Sequence, residues 1–358
     1  MRRGVTPGRS SATNTHWRKW EDYTTQLGID PFLEAFTDKV QVLQVFLQRV
    51  HSGQLSASSN SVKSRSAEDY IRSIGQTFLA MGKSDPRLTK MGKLDFRLQR
   101  MQAAYTKDDP PPNRVKPVPV MVVRRILAIA QPTNCPFTKA LADMIGLAFF
   151  FLLRPGEYTD SKSDTSPFQL QDVQLFIGQR RLNLVTATDA QLLTATFSTL
   201  TFRDQKNGVR GEVIGLSHSG DQQLSPTRIL ARRVIHLRNH QAPFDTPLAR
   251  VYRSNGHTKS VKPADVTAAL KAAVTFLGPQ LGFLASDVTA RSLRAAGANA
   301  LLCADVDPDI IQLMGRWTSD QMLRYLTLQA APIMKDYSRR MLAGGTFTLI
   351  PNQWVPSF

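Results

Sequence analysis

Cysteine is nearly absent: Cys135 and Cys303 are the two in 358 residues, too few for a disulfide-stapled scaffold, and neither has Cys or His neighbours at metal-ligand spacing. The chemistry therefore fits a reducing compartment, with no structural zinc expected. Long apolar runs are missing as well. The longest, Met144–Leu153, is ten residues with one glycine, about half of the ~20 needed to cross a bilayer. The opening MRRGVTPGRSSATN is basic and polar without an apolar core, so no signal peptide is expected and residues 1–14 read as a disordered basic arm. Acidic residues form the third shortage. Asp and Glu number 28 against 45 Lys and Arg, leaving a net charge of +17. Residues 1–120 hold 19 basic and 11 acidic residues and the remainder 26 and 17, so the excess is shared by both halves. An imbalance distributed in this way points to a polyanion, with nucleic acid first in line.

What is present divides the chain in two. Residues 108–120, DDPPPNRVKPVPV, place five prolines in thirteen positions, which forbids a helix and favours an extended spacer. Before it, periodic apolar residues predict helices over 17–27, 31–50, 67–81 and 94–105, with a Ser-rich loop at 52–66. Residues 15–107 thus read as a helical bundle. Its Arg65, Arg72, Lys83, Arg87, Lys90, Lys93, Arg97 and Arg100 are candidates for phosphate contacts. After the spacer, helices are predicted over 121–130, 139–153, 226–240, 262–277, 289–304, 308–314 and 319–326. Alternating segments at 172–177, 181–185, 194–202 and 209–216 predict a small antiparallel sheet, with Asn207-Gly208 as a hairpin turn. The fold class is mainly α with a small antiparallel β-sheet. Residues 346–358 form an irregular tail.

Several residues in this second region have the types that phosphate chemistry requires. Arg154 follows the most apolar helix and precedes Pro155-Gly156-Glu157, a spacing that suits either a structural ion pair or a guanidinium braced by Glu157 to clamp a phosphate. Arg291 and Arg294 lie three apart in the first turns of a helix, where the dipole disfavours cations and an anion would compensate them. The segment 307–315 reads as a short helix with a capping Asp307, Pro308 at its first position and Gly315 just past its end. It leads into Arg316-Trp317 and then Arg324-Tyr325.

The order Arg154 with Glu157, a lysine at a hairpin turn, the run Arg291-Ser-Leu-Arg294-Ala-Ala-Gly-Ala, and Gly315-Arg316-Trp317 followed by Arg324-Tyr325-Leu326 resembles the tyrosine recombinases, or phage-integrase-like recombinases. In wording it is most similar to recombinases of eukaryotic mobile elements, the Crypton and DIRS-like groups. The resemblance implies a helical core-binding domain over 15–107 and an α+β catalytic domain over 121–345. It implies that Tyr325 attacks the scissile phosphate and forms a 3′-phosphotyrosyl link. Arg154 and Arg294 would hold the nonbridging oxygens, Lys206 would protonate the leaving 5′-oxygen, and Glu157 would brace Arg154. Trp317, eight residues before Tyr325, or Arg316, nine before it, would fill the remaining phosphate-contacting position. Arg291 stands where many relatives carry His, and an arginine cannot serve as a general base.

The implied activity is site-specific DNA breaking and rejoining without ATP or metal, on double-stranded DNA, by a homo-oligomer that is dimeric on a site and tetrameric in synapsis. The nucleus is the expected location in a eukaryote, and the cytoplasm or nucleoid in a bacterium. A catalytically impaired DNA-binding relative and a type IB topoisomerase are the alternatives.

Overall fold

In a computed structural model, the described residues are 7–56, 59–111, 115–161, 165–203, 210–253 and 256–317. The chain forms two compact units, Met1–Asn113 and Arg114–Phe358. Each is mainly helical, and the second also contains a small antiparallel sheet.

The first unit holds α1 (Pro7–Gln26), α2 (Lys39–His51), α3 (Ser64–Ala80) and α4 (Phe96–Asp108). Along α3 the buried positions Ala67, Ile71, Ile74 and Phe78 recur at helical spacing and meet Trp20, Phe46, Leu47 and Leu98. Residues 7–14 are not a disordered arm but the first half of α1. Pro7 suits a first helical position, and the helix is held to α3 by an Arg9–Asp69 ion pair at 3.6 Å and by His16 Nδ1 to Ser73 Oγ at 2.8 Å. The helix expected over 31–50 begins instead at Lys39. Asp30 Oδ2 accepts from the N–H groups of Phe32 and Glu34, and Leu33 turns through a positive φ of 55°. Asp38 then caps α2 by accepting from Val40 N–H.

The second unit is built around α6 (Pro136–Phe150), which is buried on almost every side. Against it pack α5 (Val120–Ala130), α9 (Pro226–Asn239) and α11 (Ser292–Cys303). Glycines permit two of these approaches: a Cβ on Gly146 would overlap Ile229, and one on Gly297 would overlap the Phe149 carbonyl oxygen. A one-turn helix α7 (Pro155–Tyr158) follows α6. Next come β1 (Val173–Ile177), β2 (Arg180–Arg181), α8 (Asp189–Leu193), β3 (Phe197–Phe202) and β4 (Glu212–Ser217). The sheet is antiparallel throughout, in the order β2-β1-β3-β4, with Phe202 opposite Glu212. The expected hairpin turn at 205–208 lies outside the described residues, as do the helix expected at 319–326 and the tail at 346–358. A second hairpin, β5 (Arg250–Tyr252) with β6 (Thr258–Ser260), was not expected from the pattern. Its strands of three residues are too short to alternate visibly. The unit is completed by α10 (Pro263–Leu277) and α12 (Pro308–Gly315).

Candidate active site

The site forms where α6 ends. The α6 terminus is a Schellman-type stop: Leu153 N–H donates to Ala148 O at 3.1 Å, and Leu152 takes the left-handed position at φ 50°. Leucine at a place usually given to glycine is strained. The stop leaves the Phe151 and Leu152 carbonyls at the negative end of the helix, and arginines meet them. Arg316 Nη1 donates to Phe151 O at 3.2 Å, and its Nη2 donates to Leu152 O at 3.2 Å. Arg294 Nη1 also donates to Leu152 O, at 2.5 Å, and its Nη2 donates to Gly315 O. Both arginines are almost fully buried, at 3% exposure for Arg294 and 5% for Arg316.

Glu157 supplies the counter-charge. It is buried in α7, where its Oε2 accepts from the Arg154 backbone N–H at 2.8 Å. Its Oε1 lies 2.9 Å from Arg154 Nη1, and its Oε2 lies 3.2 Å from Arg316 Nη2. One carboxylate thus joins two guanidiniums from segments more than 150 residues apart. The expected Arg154–Glu157 ion pair forms, and Glu157 holds Arg316 as well. Burial lowers the Arg316 pKa to about 10, a shift that Glu157 opposes.

The turn after α12 explains the Gly-Arg-Trp order. Asp307 caps α12 by accepting from Asp309 N–H at 2.7 Å, and Pro308 opens the helix. Gly315 is the last helical residue rather than the residue beyond the end. Arg316 occupies the left-handed position, at φ 56°, with Trp317 N–H donating to Gln312 O at 3.1 Å. Glycine at 315 serves packing, because a Cβ there would overlap the Trp317 ring. That ring is itself buried and lies 4.3 Å from the Arg294 guanidinium carbon. On the other side, the Phe202 ring at the end of β3 lies 3.8 Å from the Arg316 guanidinium carbon.

Arg154, Glu157, Arg294, Arg316 and Trp317 therefore come together. Arg154 keeps 26% of its side chain exposed and is the accessible arginine of the three that meet here. Arg291 precedes α11, is exposed, and donates its backbone N–H to Thr289 Oγ1. Lys206 and Tyr325 lie outside the described residues. The sequence did not single out Phe151, Leu152 or Phe202. The carbonyls carry no side-chain signal, although the Phe-Leu-Leu run stopped by Arg154-Pro155 marks the place where a helix end must be satisfied. Among the described residues no cluster of three His, Cys, Asp or Glu side chains could hold a metal ion, and no helix is long and apolar enough to cross a membrane.

No protein-family model and no curated protein matches the chain. Solved structures similar to it include the Tn1549 transposon integrase in complex with circular intermediate DNA, at 14% identity and TM-score 0.49, covering 92% of this chain and 98% of that one. The XerH site-specific recombinase bound to difH substrate is similar at 11% identity and TM-score 0.49, covering 92% and 76%. A lambda integrase dimer bound to a COC′ core site is similar at 14% identity and TM-score 0.42, covering 88% and 96%.

Proposed function

We propose that this chain is a site-specific DNA recombinase that cuts and rejoins duplex DNA through a 3′-phosphotyrosyl intermediate at Tyr325. The observation that carries the reading is the convergence of Arg154, Arg294 and Arg316 on the Glu157 carboxylate and the Leu152 carbonyl. These are the segments whose order in the sequence resembles tyrosine recombinases, and the resemblance to mobile-element recombinases belongs to the same proposal. Clustered guanidiniums in a buried setting stabilise charge building on a transferring phosphoryl group, and they need no reorganisation during the reaction. Arg154, the accessible member, meets a nonbridging oxygen; Arg294, for which the resemblance implies the same contact, has both terminal nitrogens on backbone carbonyls, and with Arg316 it holds the α6 and α12 ends in register and adds positive potential behind the phosphate.

In the first step the Tyr325 hydroxyl gives up its proton to water, its oxygen bonds to phosphorus, and the bond to the 5′-oxygen breaks. Lys206 gives that oxygen its proton. In the second step a 5′-hydroxyl attacks the phosphotyrosine and releases the tyrosine. The phosphodiester energy is kept in the covalent link. Tyrosine, with an ordinary pKa of about 10, is a better nucleophile beside cations that favour its phenolate. Arg291, on the exposed rim of α11, contributes hydrogen-bond donors to the phosphate and cannot accept the tyrosine proton. Duplex DNA is the proposed partner, with strand exchange by a dimer on each site and a tetramer in synapsis.

A nicked suicide duplex tests the reading. The full chain is expected to become covalently attached to DNA in a form that survives denaturant, and Tyr325→Phe is expected to abolish the adduct while leaving binding intact. An adduct mapped to a tyrosine other than Tyr325, or an undiminished adduct with Tyr325→Phe, would overturn the assignment.

A further inference from the structure

The N-terminal unit carries a hairpin, residues 85–95, that the proposed chemistry does not use. Its base is fixed. Asp85 and Pro86 are buried, and Arg87 forks onto Asp85 with Nη2 to Oδ2 at 2.6 Å and Nε to Oδ1 at 3.0 Å. The pair rests on α3 at Gly75, where any Cβ would overlap both side chains. Asp95 N–H donates to Arg87 O at 2.9 Å, and Leu88 and Leu94 form an antiparallel bridge. The tip is a tight turn: Thr89 N–H donates to Lys93 O at 2.7 Å, Gly92 N–H donates to Thr89 O at 2.9 Å, and Gly92 has φ 73°.

At this tip Met91 is 86% exposed, more than any other large apolar side chain among the described residues. Lys90 and Lys93 flank it, both exposed, and neither has a carboxylate within ion-pair distance among the described residues. Of the other basic residues nearby, Lys83 is compensated by Glu34, Arg87 by Asp85, and Arg97 by Asp38 and Asp95, while Arg100 lies over the Phe96 ring at 5.8 Å. The braced turn thus holds one apolar side chain in water between two uncompensated cations. A single methionine buries too little surface to hold a protein on a membrane. It is the right size to enter a base stack, and apolar wedges flanked by cations are how proteins unstack and kink a duplex from the minor groove.

We propose that this hairpin tip is a minor-groove wedge. Lys90 and Lys93 seat on phosphates, and Met91 enters between neighbouring base pairs, unstacking one step and bending the duplex. The proposal rests on the duplex-DNA reading above and adds to it a place where the DNA is deformed, and so a preference for flexible pyrimidine–purine steps.

The test begins with duplexes enriched from a randomised pool by the full chain. An enriched duplex then carries 2-aminopurine at successive positions and a dye pair at its ends. Wild-type protein is expected to raise 2-aminopurine fluorescence at one step and to shorten the end-to-end distance. Met91→Ala, at a site too exposed to disturb folding, is expected to lose both signals while still binding, with affinity weaker by about tenfold. The double change Lys90→Ala, Lys93→Ala is expected to lower the slope of log affinity against log salt by about 2. Enrichment without unstacking by the wild type, or signals unchanged in Met91→Ala, would overturn the wedge and leave the duplex reading standing. Met91-dependent binding to phosphatidylserine vesicles with no duplex distortion would overturn it in favour of a lipid surface. Failure to enrich any duplex would remove both readings.

Discussion

Arg97 in the N-terminal unit and the buried arginines of the C-terminal unit are held in opposite ways. In the N-terminal unit, Arg97 lies on the surface, 40% exposed, and bridges Asp38 and Asp95, the residues that cap α2 and α4. Among the described residues of the C-terminal unit three arginines are inside, and their main partners are backbone carbonyls. Arg233 Nε donates to Leu248 O at 2.9 Å and its Nη2 to Arg250 O at 2.5 Å, while Arg294 and Arg316 close the ends of α6 and α12. A surface pair with water on one side adds little, because solvent screens it and long side chains lose entropy. A buried guanidinium is costly to place and costlier to remove, since its absence orphans every group it satisfied. Two of these buried arginines, Arg294 and Arg316, meet at the end of α6, where the proposed phosphate site lies, while Arg233 secures the carbonyls of Leu248 and Arg250.

Removing Arg316 should produce the largest effect. Arg316→Met keeps the volume but strands the Phe151 carbonyl, leaves Leu152 O with Arg294 as its guanidinium donor, and leaves part of the Glu157 charge uncompensated, at a cost of about 3–5 kcal/mol. Urea unfolding followed by a probe in the C-terminal unit should show the loss, together with a covalent-adduct yield near zero. Arg316→Lys should recover a minority of both, because an ammonium cannot span two carbonyls and a carboxylate. A Met variant as stable as the wild type would break the contrast between the units.

A smaller effect is expected from pH. His236 Nε2 accepts from Tyr252 N–H at 3.0 Å, which requires a neutral ring. Burial first, then the charges of Arg233 and His240, lower its pKa from an ordinary 6.5 to about 4. The unfolded chain takes up the proton as pH falls through 6.5, and the folded chain resists until about 4. Stability is therefore full above pH 6.5 and is lost across that window, by about 1–2 kcal/mol once the ring's partial exposure is allowed for. His236→Gln keeps an acceptor for Tyr252 and cannot titrate, so its unfolding free energy should lose this part of the pH dependence. An unchanged profile would show that the ring is not the source.

The legibility of the chain in its sequence follows the same division. Long helices such as α3 and α9 were readable because their apolar spacing is the imprint of a buried face, and β3 and β4 because alternation is. Arg154 and Glu157 could be read as a pair three residues apart. Arg294 and Arg316 could be noted as residues but not as carbonyl clamps, since their partners are backbone atoms 142 and 164 positions away. Gly315 is a similar case. Helix-end chemistry suggests a left-handed glycine, whereas the Trp317 ring needs the space and Arg316 takes the turn. The start of α1 was missed because its polar residues carry no periodic signal and its anchors, Asp69 and Ser73, belong to another helix.

Arg97 tests the contrast from the weak side. It forms more charged hydrogen bonds than Arg316 does: two to Asp38, at 2.5 and 3.0 Å, and two to Asp95, at 3.0 and 3.1 Å. These bonds hold both carboxyls below the usual carboxylate range. If the number of ion-pair contacts set stability, Arg97→Gln would be the more damaging change. Burial argues otherwise. Asp38 and Asp95 still accept from Val40 and Arg97 N–H groups as helix caps when the guanidinium is gone, and water replaces the charge. The expected outcome is a thermal midpoint for the N-terminal unit within experimental scatter of the wild type at physiological ionic strength. Any residual difference should vanish in molar salt, where the screening length falls to about 3 Å. A salt-insensitive loss as large as that of Arg316→Met would mean that geometry, rather than burial, governs what an arginine contributes in this protein.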